Sequence, residues 1–376
     1  MRTVARIVTA AVVAAAAIVA LPAAPGARDC QSWGASPPAV GSDHNVVADV
    51  AAAGPCLAWA VGSRIEGGVS KTLIYRWNGT SWKQVPSPNR GAGHNQLRAV
   101  DAVAADDAWA VGSFAGAVDS EPLVLHWNGR RWKVVDAPLA IADSFNDLFD
   151  VDATSATNAW AVGERDDPDG SYRAYVIRWN GRRWRLQRTP NVPGDSDELF
   201  GVGAVSPSEA WAVGYADGET LILGWSGRRW RRVPSPSPGL SANLEDATSL
   251  RDGTSWAVGS FSDGAADQPL ILRWNGSRWK RQQAPPLEDG GTLRGVAAAS
   301  SRNAWAVGID ANAFPQGWLV LHWNGRSWQR ASTPLAGSGQ TSLILNGVTR
   351  VPGGGAWAVG DYLLGGRRFP FALHCC

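Results

Sequence analysis

One 25-residue stretch, residues 108–132, reads AWAVGSFAGAVDSEPLVLHWNGRRW and contains three tryptophans, Trp109, Trp127 and Trp132. Its tetrapeptide Trp-Ala-Val-Gly recurs at intervals of 45 to 52 residues along the 376-residue chain. A period of about 50 residues indicates an array of one supersecondary unit. The seven copies begin at Trp59, Trp109, Trp160, Trp211, Trp256, Trp305 and Trp357.

Two further tryptophans follow each copy except the last. The second stands before Asn-Gly, or before Ser-Gly in the fourth unit, and the third comes five residues later. With Trp33, these positions hold 20 of the 21 tryptophans, and only Trp318 lies outside the repeat. We predict that the repeated rings fill the wedges between neighbouring units. The second and third tryptophans are Trp77 and Trp82, Trp127 and Trp132, Trp179 and Trp184, Trp225 and Trp230, Trp274 and Trp279, and Trp323 and Trp328.

Each unit contains four short predicted strands. In the second unit they are Leu97–Val103, Ala108–Gly112, Leu123–Trp127 and Trp132–Val135. The Asn-Gly pair between the last two is a strong hairpin marker, since both residues tolerate positive φ. No segment has a sustained 3.6-residue apolar period, so we expect few or no helices.

The two ends of the array fit together. Phe371–His374 aligns with the third strand of a unit, and no fourth strand follows it. Residues 30–37, which include Trp33, align instead with a fourth strand that has no third strand before it. A closed ring uses such a permutation because it removes free sheet edges, whereas an open solenoid or a set of separate small domains does not. We therefore predict an all-β, seven-bladed β-propeller with four antiparallel strands per blade, closed by an N-terminal strand that completes the last blade.

The four cysteines lie near this closure. Cys30 and Cys376 flank the one hairpin that the chain does not close covalently, so a disulfide from Cys30 to Cys375 or Cys376 would join the ends. Cys56, in the first turn of blade 1, is a candidate partner for the other closing cysteine. The sequence does not fix the connectivity.

Residues 1–29 have the pattern of a secretory signal peptide. Arg2 and Arg6 precede an apolar run from Ile7 to Leu21, which is shorter than the roughly 20 residues of a spanning helix. An uncleaved membrane anchor is the alternative. We expect a secreted, extracellular protein in which residues 30–376 form the propeller and no membrane segment remains after cleavage.

The repeat resembles the Trp-rich propeller repeats of secreted bacterial proteins, of the type Ala-Trp-Ala-Val-Gly followed by His-Trp-Asn-Gly-x-x-Trp. The resemblance covers Cys30 to Cys376. The period is also similar to that of kelch repeats, although the kelch Gly-Gly pair is absent. The turn before the last tryptophan resembles an Asp-box without its Ser and Asp. This resemblance implies the fold and leaves the activity open.

Function is expected where the units differ, at the loops entering the first strands. Polar residues there in blades 1 to 4 predict an arc that hydrogen-bonds a glycan or peptide. The alternative is that these side chains cap their own loops. Trp318 begins a third strand beside the same face, either as a stacking platform for a ligand or as a packing residue under the adjoining loop. The arc consists of His44, Asn45, His94, Asn95, Asn146 and Asp197.

Charge is nearly balanced, with 35 Lys+Arg against 33 Asp+Glu, so bulk charge gives no support for a nucleic-acid binder. The hairpins of blades 2 to 5, however, hold 14 Lys+Arg and no acid. We interpret these charges as protection of sheet edges, with contact to an anionic polymer as the alternative.

No nucleophile elbow, phosphate loop or zinc-protease helix is present in the sequence, so we predict no catalytic residues, no cofactor and no metal. The predicted function is a secreted, non-catalytic binding module. Lectin-like recognition of a glycan or cell-surface polymer comes first, including a role as the targeting subunit of a larger assembly. A protein-docking platform and a propeller lyase or glycosidase are the alternatives.

Overall fold

A computed structural model describes residues 33–36, 38, 44–116, 119–142, 144–190, 192, 194, 196–311, 317–334 and 339–375. Throughout these ranges the chain forms strands and connecting loops, without a helix. Consequently none of the described segments is a helix that could cross a membrane. The predicted signal peptide, Cys30 and Cys376 lie outside the described residues.

The described residues form 28 strands in seven antiparallel sheets of four. The first strand, β1 (Gly34–Ala35), belongs to the last blade. Blades 1 to 3 contain β2 (Asn45–Gly54), β3 (Leu57–Glu66), β4 (Val69–Trp77), β5 (Trp82–Gln84), β6 (Asn95–Ala104), β7 (Asp107–Ala115), β8 (Ser120–Trp127), β9 (Trp132–Val135), β10 (Asn146–Ser155), β11 (Asn158–Asp166), β12 (Tyr172–Trp179) and β13 (Trp184–Leu186). Blades 4 and 5 contain β14 (Asp197–Ser206), β15 (Glu209–Ala216), β16 (Glu219–Trp225), β17 (Trp230–Arg232), β18 (Ser241–Ser249), β19 (Ser255–Ser262), β20 (Asp267–Trp274) and β21 (Trp279–Gln282). Blades 6 and 7 contain β22 (Gly291–Ser300), β23 (Asn303–Asp310), β24 (Gly317–Trp323), β25 (Trp328–Arg330), β26 (Thr341–Arg350), β27 (Ala356–Leu364) and β28 (Arg367–Cys375).

The blades form a closed seven-bladed ring, as predicted. The first strand of each blade contacts the first strands of both neighbours, and β26 of blade 7 contacts β2 of blade 1. The ring is completed by β1, which pairs with β28 in the register Gly34 to His374 and Ala35 to Leu373. The backbone N–H of Ser36 extends this pairing by donating to the carbonyl of Ala372 at 2.9 Å.

Tryptophan clusters join neighbouring blades. Trp59 is fully buried, and its ring centroid lies 4.7 Å from that of Trp127 and 5.2 Å from that of Trp132, both in the next blade. Between blades 6 and 7, Trp305 shares a core cluster with Trp33 and Cys375 instead. The prediction that the repeated rings fill the wedges between blades is therefore confirmed. The other three-ring clusters are Trp109 with Trp179 and Trp184, Trp160 with Trp225 and Trp230, Trp211 with Trp274 and Trp279, Trp256 with Trp323 and Trp328, and Trp357 with Trp77 and Trp82.

The glycine of Trp-Ala-Val-Gly allows a bulge in the neighbouring first strand. In blade 1 the pairing jumps from Val47 opposite Gly62 to Asp49 opposite Val61, which leaves Ala48 unpaired. A Cβ on Gly62 would lie 2.0 Å from the carbonyl oxygen of Val46, so a larger residue does not fit. The same bulge occurs in every blade and places one extra residue at the central channel.

The cysteine predictions have mixed outcomes. Cys375 is buried and bonded in a disulfide, and because Cys30 lies outside the described residues the bridge from Cys30 stays a prediction. The pairing of Cys56 with a closing cysteine is wrong in this structure, where its thiol is free and exposed. The Cys56 side chain packs beside Gly79, in the hairpin of its own blade.

Candidate functional site

A central channel of about 1160 Å³ runs along the axis of the ring and is lined by the first strands of all seven blades. The bulged residues form a layer of this lining, which we call the bulge ring. Two aromatic members, Phe149 and Phe200, lie side by side with ring centroids 5.7 Å apart. The guanidinium of Arg98 lies over the ring of Phe149 at 4.8 Å, and Arg294 donates to Asn346 Oδ1 at 3.0 Å. The bulge ring consists of Ala48, Arg98, Phe149, Phe200, Glu245, Arg294 and Asn346.

Carboxyl groups line the channel directly below the bulge ring. Asp49, Asp150 and Asp246 occupy the same position in blades 1, 3 and 5. Each accepts a backbone N–H from the first strand of the next blade, at 2.7 to 2.9 Å. Asp101 and Asp152 stand two positions further along the first strands of blades 2 and 3. Each also accepts a backbone N–H from the next blade, at 2.8 and 2.9 Å. These aspartates therefore tie neighbouring blades together as well as lining the channel.

Burial inside the ring raises the pKa of these carboxyls. For Asp246 the pKa rises to about 7, although the backbone N–H groups of Val296 and Ala247 oppose the shift. Burial is also the largest cause for the other four channel aspartates, and repulsion between neighbouring carboxyls adds to it. The channel is consequently less negative at neutral pH than its composition implies.

The polar arc predicted from the sequence consists mainly of loop caps. Asn95 is fully buried: its Oδ1 accepts from the backbone N–H of Arg90 at 2.7 Å, and its Nδ2 donates to the carbonyls of Arg90 and Gly93. Asn146 makes the equivalent bonds in blade 3. Asn45 and Asp197 are also buried. For Asn95 and Asn146 the structure thus agrees with the capping alternative, and the four buried side chains are not presented to a ligand.

Asp197 and the two histidines of the arc connect neighbouring elements. Asp197 accepts from Arg173 Nη1 at 3.1 Å and from the backbone N–H of Ala174 at 3.2 Å, both in blade 3. His94 Nδ1 accepts the backbone N–H of Ser70 at 3.1 Å, which links blade 2 to blade 1. His44 Nδ1 makes the equivalent bond to Arg368 of blade 7 at 3.4 Å.

The prediction that Trp318 is a stacking platform for a ligand is corrected by its burial. Its side chain is only 4% exposed, and its ring stacks on Phe371 of the next blade with centroids 4.1 Å apart. Trp318 therefore belongs to the core between blades 6 and 7. Its ring has no free face for a sugar.

A groove of about 430 Å³ between blades 4 and 5 opens beside the channel mouth. Three carboxyl side chains, Glu198, Glu245 and Asp267, line it, and no Lys or Arg is among its lining residues. Glu245 also belongs to the bulge ring, so the groove and the channel mouth are continuous. We call it the blade 4–5 groove. Its aromatic lining residues are Phe200, Tyr215 and Phe261, and its remaining lining residues are Ser241, Ala242, Asn243, Ser260 and Ser262.

Hydrogen bonds hold the carboxyls of this groove in place. Ser260 donates to Asn243 Oδ1 at 2.9 Å, and Asn243 Nδ2 donates to Glu245 Oε1 at 2.5 Å. Burial raises the pKa of Glu245, opposed by Arg294 and Asn243. Ser196 fixes Glu198 through a 2.6 Å bond from Oγ to Oε1.

The carboxyl of Glu198 also contacts the carboxyl of Glu164 in blade 3. Burial, together with repulsion from Glu198 and a hydrogen bond that protonated Glu164 donates to the Glu198 carboxylate, raises the pKa of Glu164 to about 8. Glu164 therefore favours its protonated form at neutral pH. Sequence reasoning missed these residues and the bulge ring, although the repeated glycine was the available marker for the bulge.

The raised pKa values predict that the folded state is more stable in mild acid. A carboxyl with a raised native pKa binds its proton more tightly when folded, so stability falls as pH rises from the ordinary pKa to the raised one. The window runs from 4.5 to about 8 for Glu164 and from 3.8 to about 7 for Asp246. We expect a higher midpoint of thermal unfolding at pH 5 than at pH 9, measured by circular dichroism. Glu164→Gln, which imitates the protonated carboxyl, should reduce the difference; a midpoint that rises with pH would contradict the assignment.

Within the described ranges, no group of three or more His, Cys, Asp or Glu side chains is arranged to hold a metal ion.

No protein-family model matches the chain, and no curated protein is similar enough to serve as a relative. Solved structures are similar in fold. YCF48 bound to D1 peptide has a TM-score of 0.59 and 13% identity, over 96% of this chain and 100% of that one. U3-55K has a TM-score of 0.57 and 12% identity, over 91% of this chain and all of the other. A polysaccharide lyase, an ulvan lyase bound to -[GlcA(1-4)Rha3S]-, has a TM-score of 0.57 and 9% identity, over 87% and 93%. These likenesses establish the propeller fold and leave the type of repeat a prediction.

Proposed function

We propose that this protein is an exported docking platform that holds a basic side chain of a protein partner in the blade 4–5 groove. The observation that carries the proposal is the lining of that groove. Glu198, Glu245 and Asp267 face a cleft that has no Lys or Arg among its lining residues. The rings of Phe200 and Tyr215 line it beside Phe261, which Arg281 already covers at 4.3 Å. Carboxylates and ring faces are the groups that attract an ammonium or guanidinium.

The neighbouring channel mouth gives the rest of a peptide a surface to contact. Phe149 and Phe200 are half-buried and paired there, and exposed aromatic rings are frequent anchors of protein interfaces. Arg98 and Arg294 stand on the flanking blades 2 and 6. A segment with a basic residue in the groove and an apolar residue on the two phenylalanines matches both parts of the surface.

The similar structures support a docking role without identifying the partner. YCF48 was solved with a bound peptide, and its fold is that of this chain. Export rests on the signal pattern of residues 1–29 and is part of the proposal.

Lectin-like binding, the first sequence-based hypothesis, has lost most of the residues to which it was assigned, although His94 is exposed and His44 is half-buried. Asn95 and Asn146 are buried caps, and Trp318 lies within the core. Glycan binding at this face is therefore the competing outcome of the test below.

An enzyme is the other alternative, because Glu164 has the raised pKa expected of a general acid. Its contact with Glu198 supports a non-catalytic role. The carboxyls of a glycosidase stand about 5 to 9.5 Å apart so that a sugar fits between them, whereas Glu164 and Glu198 are hydrogen-bonded to each other.

Binding of short probes tests the docking proposal. Three fluorescent decapeptides with a Gly-Ser background carry two lysines, two glutamates or neither, and are titrated by anisotropy beside a carbohydrate array. We expect the lysine peptide to bind at least about tenfold more tightly than the others, which corresponds to about 1.4 kcal/mol. The double variant Glu198→Gln, Glu245→Gln should lose most of this preference.

A variant of equal charge change serves as the control. Glu66 and Glu209 are exposed and lie outside the groove, so Glu66→Gln, Glu209→Gln should keep the preference for lysine. Equal binding of the three peptides would refute the proposal. An array signal that disappears in the groove variant would favour the glycan hypothesis instead.

A further inference from the structure

A belt of positive charge follows the outer strands of blades 2 to 5. We call residues 127–135, 179–188, 225–232 and 274–281 the basic arc; they contain 14 Lys+Arg and no acid. One arginine stands immediately before the buried fourth-strand tryptophan in each of these blades and is itself exposed. These equivalent residues are Arg131, Arg183, Arg229 and Arg278.

The charges of the arc are largely uncompensated. Among the described residues, a single ion pair involves the arc, between Arg232 Nη2 and Glu219 Oε2 at 3.2 Å. The guanidinium of Arg281 lies over the ring of Phe261 at 4.3 Å. The net charge of +2 thus conceals a locally cationic rim.

Protection of sheet edges does not account for the distribution of these charges. All seven blades expose the same kind of outer edge, yet the position of the four arginines holds Ser81 in blade 1 and Ser327 in blade 6. The hairpins of these two blades carry fewer cations, Lys83 in blade 1 and Arg326 and Arg330 in blade 6, than the three or four of each blade in the arc. The outer strand of blade 7, Gly34–Ala35, has no charge. Cations that prevent aggregation are needed on every outer strand, whereas cations that form a binding surface are needed on one side of the ring only.

We propose that the basic arc binds a linear anionic polysaccharide, which lies along the rim of blades 2 to 5. The proposal goes beyond the docking function and concerns a different surface. The arc repeats the same cationic position in four consecutive blades, which matches a polymer with a regular series of carboxylate or sulfate groups. Arginine side chains bind such groups through paired N–H donors.

The same surface is poorly suited to single-stranded nucleic acid. Proteins that bind single strands combine positive charge with exposed aromatic rings on which bases stack. The fourth-strand rings of the arc, Trp132, Trp184, Trp230 and Trp279, are at most 4% exposed. Its third-strand rings Trp127, Trp179 and Trp274 are half-buried, and each packs against the second-strand tryptophan of the preceding blade. Sugar anions need no such platform.

The test uses substitutions that the repeat itself accepts. In the variant Arg131→Ser, Arg183→Ser, Arg229→Ser, Arg278→Ser, each position receives the residue that blades 1 and 6 already have. Binding of the purified full chain to dextran sulfate, to polygalacturonate and to neutral dextran is measured by surface plasmon resonance. We expect both anionic polymers to bind, neutral dextran not to bind, and the variant to lose about 30-fold in affinity.

A second variant separates local from overall charge. Lys83→Ser, Arg251→Ser, Arg302→Ser, Arg326→Ser removes the same number of exposed cations outside the arc and should bind within about twofold of the unmodified chain. Binding to dextran sulfate alone or to polygalacturonate alone would identify sulfate or carboxylate as the recognised group and would support the proposal. Equal losses in the two variants, or duplex DNA bound as tightly as the polysaccharides, would overturn it. Lysine-peptide binding at the groove should be unchanged in the arc variant, so failure of one proposal is distinguishable from failure of the other.

Discussion

Replacing Trp59 with Ala is expected to lower the free energy of unfolding by about 3–5 kcal/mol. The side chain is fully buried between blades 1 and 2 and contacts Trp127 and Trp132, so truncation leaves a cavity against two large rings. The loss is a large part of the total stability of an ordinary domain, about 5–15 kcal/mol. Chemical unfolding followed by tryptophan fluorescence measures the change.

An exposed apolar residue provides the control for this substitution. Leu240 is 79% exposed, and Leu240→Ala should change the free energy of unfolding by no more than about 0.5 kcal/mol. A loss below about 1 kcal/mol for Trp59→Ala would contradict the assignment of the repeated tryptophans as the packing between blades.

The ring could be predicted from the sequence because its determinants are local and repeated. Trp-Ala-Val-Gly and Asn-Gly mark the same strand and the same hairpin in successive units, and the two incomplete ends predict the closing pair. The observed register, Gly34 opposite His374, is the one that alignment with a complete unit requires. The second strands extend beyond the prediction, as in Asp107–Ala115, because pairing with the first strand continues through residues without an apolar pattern.

The channel surface could not be predicted in the same way. Alternation of side chains assigns residues to faces only while the register is regular, and the bulge shifts every later residue by one position. Phe149, Phe200 and Glu245 reach the channel for this reason. The glycine that permits the bulge is visible in the sequence, but the carbonyl that would collide with a Cβ becomes evident only in the paired strands.

The polar arc shows why residue type alone misleads at a loop. An Asn entering a first strand is equally suited to bind a ligand or to cap its loop, and the choice depends on whether the amide is exposed. Asn95 and Asn146 use both Oδ1 and Nδ2 on their own loops. Our two proposals therefore rest on other surfaces, the acidic blade 4–5 groove and the basic arc. A protein with both surfaces can hold a partner beside an anionic polymer.

The closing strand gives the second large prediction. Among the described residues, Gly34 and Ala35 pair with β28 and Ser36 adds one hydrogen bond, so the pairing is short and Trp33, which is 4% exposed, is the large buried side chain beside it. We expect Trp33→Ala to lower the free energy of unfolding by about 3–5 kcal/mol and to expose the edge of Arg367–Cys375, which promotes self-association. Hydrogen exchange at the amide of Ser36, which donates to Ala372, reports detachment. Reductant is included so that a bridge from Cys30 does not retain the strand.

Trp82→Ala is the matched control because Trp82 occupies the same position in blade 1 and pairs with Trp77. It removes a ring of equal burial, and the loss of packing should be similar. Its strand, however, is continuous with the hairpin at Asn78-Gly79, so detachment brings no gain in chain entropy comparable to that of a free end. Self-association that rises with protein concentration in Trp33→Ala and not in Trp82→Ala identifies the open edge as its cause. Because the disulfide is reduced under these conditions, equal behaviour of the two variants would mean that the short pairing alone keeps the ring closed without the Trp33 side chain.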